Sequence, residues 1–265
     1  MKSNPFDDAI AHVRDRLGSV GSTVLFYPTI GSTNDAAMSH ASEGLVVVAD
    51  EQTAGRGRRG HTWFSPPGSG LYVSVVLSPA RARADPARAT SLLTIAAGVA
   101  IVEGVNAATG LAVDLKWPND LYIEHRGRRK LAGILAEASP AGATPHIIVL
   151  GYGINVGPMA YPPELADRAT SLESELGRQI DRHHVFAETL VALSRRYEHL
   201  LAGEFDAILD AWRARAPRAI GARVAWTTPT GQQAGVTEGI DDHGALLVRV
   251  GDRLERVVGG ELTWL

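Results

Sequence analysis

Gly55-Arg56-Gly57-Arg58-Arg59-Gly60 spells a G-x-G-x-x-G, and its flanks decide which folds remain open to the chain. A dinucleotide-binding glycine turn opens a helix, so that the pyrophosphate meets free helix N–H groups, and an acid follows about 20 residues on. Here the glycines follow the apolar run "LVVVAD" (45–50) and lead into "HTWFSPPGSG" (61–70), whose prolines and glycines exclude a helix. The next segment, "GLYVSVVLS" (70–78), is a strand, and "VSVVLSPARA" (73–82) holds no acid. A kinase glycine loop fails too, because position 62 is Thr and neither H-R-D nor D-F-G occurs. No Gly-Lys-Ser/Thr is present, which removes the P-loop. The stretch is therefore a strand-to-strand connection, Glu51 to Pro66. Such a loop is either a solvated basic loop or nucleic-acid patch, or one that becomes ordered around an anion, where backbone N–H groups and guanidinium forks converge.

Around that connection, "VLFYPTIGSTND" predicts a strand over 24–28, a turn, and a helix capped by Ser32 or Thr33. The segment 86–110 predicts the longest helix, with Pro86 at its start and Gly110 past its end. "VDLKWPNDLYIE" (113–124), "RKLAGILAEA" (129–138) and "HIIVLGYGINV" (146–156) read as strands with little helix between them. Helices over 183–202 and 204–215 stop at "APRAIG", where Pro217 and Gly221 mark a boundary. Beyond it, short alternating strands are separated by "TPTG", "DDHG" and "VGD", the texture of a small β-barrel. The strands before the boundary succeed one another without regular helices. They predict an α+β protein with a mixed sheet flanked by helices.

The chain has 265 residues, 45% of them apolar, enough for a large domain with a small one. A net charge of −3 argues against a protein built chiefly to grip nucleic acid. The absence of cysteine excludes disulfides, thiol nucleophiles and Cys-ligated zinc. "MKSNPFDDAIAHVRDRLG" has no secretory apolar core, and no window nears 18 uninterrupted apolar residues. A cytoplasmic protein without a membrane partner is the expectation. Of 26 basic residues only Lys2, Lys116 and Lys130 are lysine, and the last two lie beside apolar segments.

Five blocks stand in a fixed order: "GSTND" (31–35), "EQTAGRGRRGHTWFSPPGSGLY" (51–72), "KWPNDLY" (116–122), "RKLAGILAE" (129–137) and "GYGINV" (151–156). With this order the chain closely resembles biotin protein ligases, from about residue 23 to its end. The resemblance implies a catalytic domain of the class II synthetase-like, biotin–lipoate ligase fold over 1–216, and an SH3-like barrel over 217–265. It implies that biotin and Mg2+-ATP form biotinyl-5′-adenylate, which a lysine on the biotin carboxyl carrier domain of a biotin-dependent carboxylase then attacks. Biotin binding falls to Ser32, Thr33, Asn34, Gln52, Gly55, Arg56, Gly57, Arg58, Lys116 and Gly133. ATP and adenylate binding falls to Arg58, Trp63, Lys116, Asn119, Lys130 and Asn155. Lys116 and Arg56 carry the catalytic roles, because cations must offset the repulsion between the biotin carboxylate and the α-phosphate. No protein residue is assigned to a metal. Asp120 reads as structural support, and His61 has no role.

Residues 54–66 carry three arginines and no evident apolar contact, so they are expected to be mobile until ligand orders them into a lid under Trp63. About 22 residues precede the first family strand, too few for a helix-turn-helix domain. That feature and the net charge disfavour a non-catalytic DNA-binding biotin sensor, so no nucleic-acid partner is expected. Lipoate ligation shares the fold and is disfavoured by the Gly-Arg-Gly-Arg-Arg-Gly-x-x-Trp block. Monomer and homodimer are both compatible with the sequence.

Overall fold

A computed structural model describes residues 4–124, 127–140, 146–228, 231–260 and 262–265 of the chain. In chain order the first part contains α1 (Asp7–Val13), β1 (Thr23–Ile30), α2 (Thr33–His40), β2 (Leu45–Gln52), β3 (Gly70–Leu77), α3 (Pro86–Thr109), β4 (Asp114–Lys116), β5 (Asp120–Ile123), β6 (Arg129–Ala138) and β7 (Ile148–Asn155). The short helices α4 (Pro163–Ala166) and α5 (Leu172–Leu176) lead to α6 (Arg182–Ala202) and α7 (Phe205–Arg213). The last part holds β8 (Ile220–Thr228), β9 (Gly231–Ile240), β10 (Leu246–Val250), β11 (Arg253–Val257) and β12 (Leu262–Trp264). The middle of the expected "TPTG" turn, Pro229-Thr230, lies outside the described residues.

Seven strands form one sheet in the order β1-β2-β3-β7-β6-β5-β4. β1 and β2 run parallel, joined by the crossover α2, and every other neighbouring pair is antiparallel. The sheet is mixed, as expected. β1 is an edge strand, which accommodates Pro28 within it. β3 is buried along its whole length because both faces of the sheet are covered. Val47, Val76 and Val149 pack with Ala37 of α2, while Val46, Val48, Val73 and Val75 join the larger core with α3 and α6.

α3 is held at its start by the Asp85 carboxylate, which accepts from the Arg88 N–H at 2.9 Å, and ends at Gly110 with φ +78°. By length and apolarity it matches a membrane-crossing helix, but it is mostly buried inside the fold. Gly104 brings it against α6: a Cβ there would stand 2.4 Å from the Thr189 Cα. Gly104→Ala is expected to lower stability by about 1–3 kcal/mol, the usual cost of overpacking. A urea titration checks this, and an unchanged midpoint would contradict so close a helix contact.

"VDLKWPNDLYIE" folds back through Trp117-Pro118-Asn119 into the antiparallel pair β4 and β5, with Lys116 at a strand end and turn residues at the reversal. One element is absent from the sequence reading: the N-terminal α1, whose seven residues are too few to display a helical period. Phe6, Ile10 and Val13 are nonetheless in the core, with Phe6 ring-centred 4.7 Å from Phe186.

The last five strands form a second, wholly antiparallel sheet, β11-β10-β9-β8-β12. Its "DDHG" turn is closed by Asp241 Oδ1, which accepts from the N–H groups of His243 and Ala245, both at 2.9 Å. The turn also docks the sheet. Trp117 Nε1 donates to the Gly244 carbonyl at 2.9 Å, Arg88 Nε donates to that of Asp242 at 2.8 Å, and Gly244 packs against Leu92 and Ile95 of α3.

Candidate active site

A cavity of about 440 Å³ lies over β6 and β7. The start of α2, the glycine-arginine connection, the β4–β5 turn and β12 complete its walls. One end is a cluster of uncharged hydrogen-bonding groups. Ser32 stands at the N-cap of α2 but its side chain makes no capping bond, and Thr33 does not cap either. Gln52 Oε1 instead accepts from the Thr33 N–H at 2.9 Å and lies 3.0 Å from its hydroxyl, while Gln52 Nε2 donates to Ser65 Oγ at 3.1 Å. Because Gln52 replaces the cap, the Ser32 hydroxyl is available at the cavity wall.

Ser74 of β3 orders this cluster from beneath. Its fully buried Oγ lies 2.5 Å from Asn34 Oδ1 and 2.8 Å from Thr33 Oγ1. A carbonyl oxygen only accepts, so the Ser74 proton goes to Asn34. Asn34 Nδ2 then donates to Glu137 at 2.6 Å, which fixes its amide. Ser74 and Glu137 escaped the sequence reading, although a lone serine in "YVSVVL" was a usable signal for a polar contact below the sheet surface.

The glycine-arginine connection carries hydrogen bonds of its own. Gly57 N–H donates to the His61 carbonyl at 2.7 Å, and Trp63 N–H donates to that of Gly55 at 2.9 Å. Arg56 is bidentate to Asp35 at 2.6 and 2.8 Å and reaches Glu137 at 3.1 Å. These bonds hold the Asp35 carboxyl below its ordinary range. Arg56 thus lines the cavity with its charge already opposed by two carboxylates, and its geometry is that of an anchor for the loop.

Trp63 lines the cavity, as expected of a residue at the site. Its indole is half-buried on the paired glycines Gly133 and Gly153, where added Cβ atoms would come within 3.0 Å and 2.3 Å of the ring. The seat is flat because both strands offer only backbone there. Trp63 Nε1 is buried without a hydrogen-bond partner among the described residues. Lys130 Nζ lies 5.3 Å from the ring centre, and its ammonium pairs with Asp120 at 2.6 Å. Asp120 lines the cavity with its carboxylate engaged in that pair. Gly55 does not line the cavity. A Cβ on it would stand 2.6 Å from the Trp63 carbonyl oxygen, so close backbone packing requires glycine there.

The other end of the cavity is cationic. Arg58 is half-buried and its Nη1 donates to Asn119 Oδ1 at 3.3 Å; Asn119 is tied in turn to Ile134 by both backbone and side chain. Burial holds the Arg58 guanidinium below its usual value, with the Arg59 charge in support. Lys116, at the end of β4, is lowered by burial against a raising influence from Asp120. Among the described residues neither cation has a carboxylate within ion-pair distance. Arg168 and Tyr161 also line this end and were not anticipated. Asn155 lines it too, but its Nδ2 donates to the Thr170 carbonyl at 2.9 Å, which makes it a support for the loop after β7.

Residues 27–155 match the Biotin/lipoate A/B protein ligase family, and residues 219–262 match the Biotin protein ligase C terminal domain. The chain is 34% identical over 249 residues to the bifunctional ligase/repressor BirA of Bacillus subtilis, covering 92% of this chain and 74% of that one. It is 36% identical over 244 residues to the biotin–[acetyl-CoA-carboxylase] ligase of Mycobacterium tuberculosis, covering 89% and 86%. This chain belongs to the biotin protein ligase family. Its fold resembles that of the Aquifex aeolicus biotin protein ligase solved with biotin and ATP, at a TM-score of 0.78 and 27% identity over 92% of this chain and 99% of that one. In this ligase, Ser32, Thr33, Asn34, Gln52, Arg56, Gly57, Arg58, Trp63, Lys116, Asn119, Lys130, Gly133 and Asn155 all meet at the one cavity.

Proposed function

We propose that this ligase activates biotin with ATP and passes it to a lysine of a biotin carboxyl carrier domain. The observation that carries this reading is the two-ended cavity. An uncharged cluster of Ser32, Thr33, Asn34 and Gln52 suits a ureido ring, and Arg58 and Lys116 at the other end suit two anions. The biotin carboxylate oxygen attacks the α-phosphorus, the bond from that phosphorus to the bridging oxygen breaks, and pyrophosphate leaves with the electron pair. Lys116 and Arg58 offset the charge that accumulates between the two anions. The carrier amine then attacks the acyl carbon, AMP departs, and the amine sheds its proton. No side chain is needed as a strong base for that step.

Mg2+ enters as part of the ATP substrate, where it screens the phosphates. Among the described lining residues Asp120 is the one carboxylate, and Lys130 occupies it. The chain's own share in phosphate binding is therefore cationic. The names of the Mycobacterium tuberculosis and Paracoccus denitrificans relatives favour an acetyl-CoA carboxylase carrier as the acceptor. Incubation with ATP, labelled biotin and a purified carrier domain should place label on one carrier lysine. Equal labelling of a carrier with that lysine changed to arginine would sink the assignment.

Arg58→Gly is expected to leave the fold intact and to let the adenylate escape, because Arg58 meets the cavity and is not an anchor of the loop. The readout is labelling of bystander lysines on an unrelated protein, expected to rise by roughly 10-fold when one charge-assisted contact is removed. Carrier-confined labelling at the original yield would contradict that role.

A further inference from the structure

Lys116 is held in an unusual manner for a half-buried ammonium. Asp120 lies directly across the β4–β5 ladder from it, yet its carboxylate is engaged with Lys130 at 2.6 Å. The described partners of the Lys116 ammonium are two ring faces: Tyr122 at 4.7 Å and Trp264 at 5.7 Å. Tyr122 belongs to β5, but Trp264 belongs to the last strand of the second sheet. Arg218 closes the arrangement from that side, with its guanidinium 5.4 Å from the Trp264 ring and its Nη2 donating to the Leu265 carbonyl at 3.0 Å.

We infer that Trp264 is a positioning residue for adenylation, which holds the Lys116 ammonium in the cavity by its ring face. This rests on the proposed function and adds to it a requirement for the docked C-terminal domain. A carboxylate partner would occupy the ammonium's N–H donors and would have to be displaced by each incoming anion. A ring face attracts the same charge through its quadrupole and leaves the three donors free. Of the charged groups acting on Lys116, Asp120 attracts it from its pair with Lys130, while Lys130, Arg218 and Arg168 repel it. The two rings therefore supply attraction where the cations oppose it. They also fix the direction of a long flexible stem, which is what a point charge between two anions requires.

Trp264→Leu and Trp264→Phe separate this role from mere packing. Leu keeps apolar bulk without a π-face, and Phe restores a weaker face. In biotin-dependent exchange of pyrophosphate into ATP, Trp264→Leu is expected to lower kcat by about 10-fold, the scale of one desolvated cation–π contact, with the KM for biotin little changed. Trp264→Phe is expected to stay within about 3-fold of the unaltered protein. Tyr122→Leu removes the other face from a different element and should act in the same direction.

A second readout needs no activity. After reductive methylation with 13C-formaldehyde the chain has only three lysine signals, and that of Lys116 should be shifted upfield by the rings. The shift should shrink in Trp264→Leu. An unshifted Lys116 signal in the unaltered protein overturns the inference even if the leucine variant fails to fold. Equal kcat for folded Trp264→Leu and the unaltered protein overturns it as well, with the proposed function left standing. Absence of exchange in the unaltered protein removes the proposed function and this role together.

Discussion

Lys116→Ala is expected to slow biotinyl-adenylate formation by about 100-fold or more, the scale on which one pre-placed stabiliser of developing charge acts. The biotin carboxylate and the α-phosphate are both anionic, so their approach raises the barrier unless cations stand between them. Four of the cationic side chains lining the cavity are already characterised by their neighbours. Arg56 is bound to Asp35 and Glu137, and Lys130 is bound to Asp120. Arg58 and Lys116 have no such partner among the described residues, and burial keeps both in an environment where a charge acts strongly. Ring faces hold Lys116, so the loss of its ammonium leaves no stranded carboxylate behind and the variant should fold normally. Single-turnover formation of the adenylate measures the effect. A folded variant that retains near-original adenylation would show Lys116 to be peripheral.

Gly151→Ala is expected to weaken biotin binding by about 30-fold and to lower stability as well, because the buried Ser74 hydroxyl loses its acceptor. Gly151 pairs with Ser74 across β3 and β7, and a Cβ there would stand 2.2 Å from Asn34 Oδ1 and 3.0 Å from its Cγ. Asn34 would have to swing out, losing the proton of Ser74 and the acceptor Glu137 together. Each displaced buried polar group costs about 1–3 kcal/mol, so a combined loss near 2 kcal/mol is a moderate figure. Calorimetric titration with biotin alone isolates this effect, because no phosphate chemistry enters. Lys116→Ala should show the opposite pattern, a large loss of rate with a smaller loss of biotin affinity. Unchanged biotin affinity in folded Gly151→Ala would remove Asn34 from the recognition cluster.

The parts legible in the sequence were those marked by backbone chemistry. Pro86 and Gly110 bound α3, and the glycine-arginine stretch between two strands excluded a nucleotide-binding turn before any contact was known. Lys116 at a strand end also followed from local pattern. What escaped depended on long-range contact. Ser32 and Thr33 look like helix caps in isolation, and only the side chain of Gln52, arriving from β2, relieves them of that task. The partners of Arg56 in that loop, Asp35 and Glu137, are distant from it in sequence, so the glycine-arginine stretch alone does not disclose them. The seat of Trp63 requires Gly133 and Gly153 to be cross-strand partners, a register that neither segment discloses alone. Trp264 reaches Lys116 only because the "DDHG" turn docks the second sheet against α3.

Under the proposed function, this cavity joins biotin to the α-phosphate of ATP. Exchange of labelled pyrophosphate into ATP measures that step without a carrier protein. Exchange should require biotin, should be absent with lipoate, and should fall with Lys116→Ala. Exchange that proceeds equally with lipoate, or fails with biotin in the folded protein, would contradict the account.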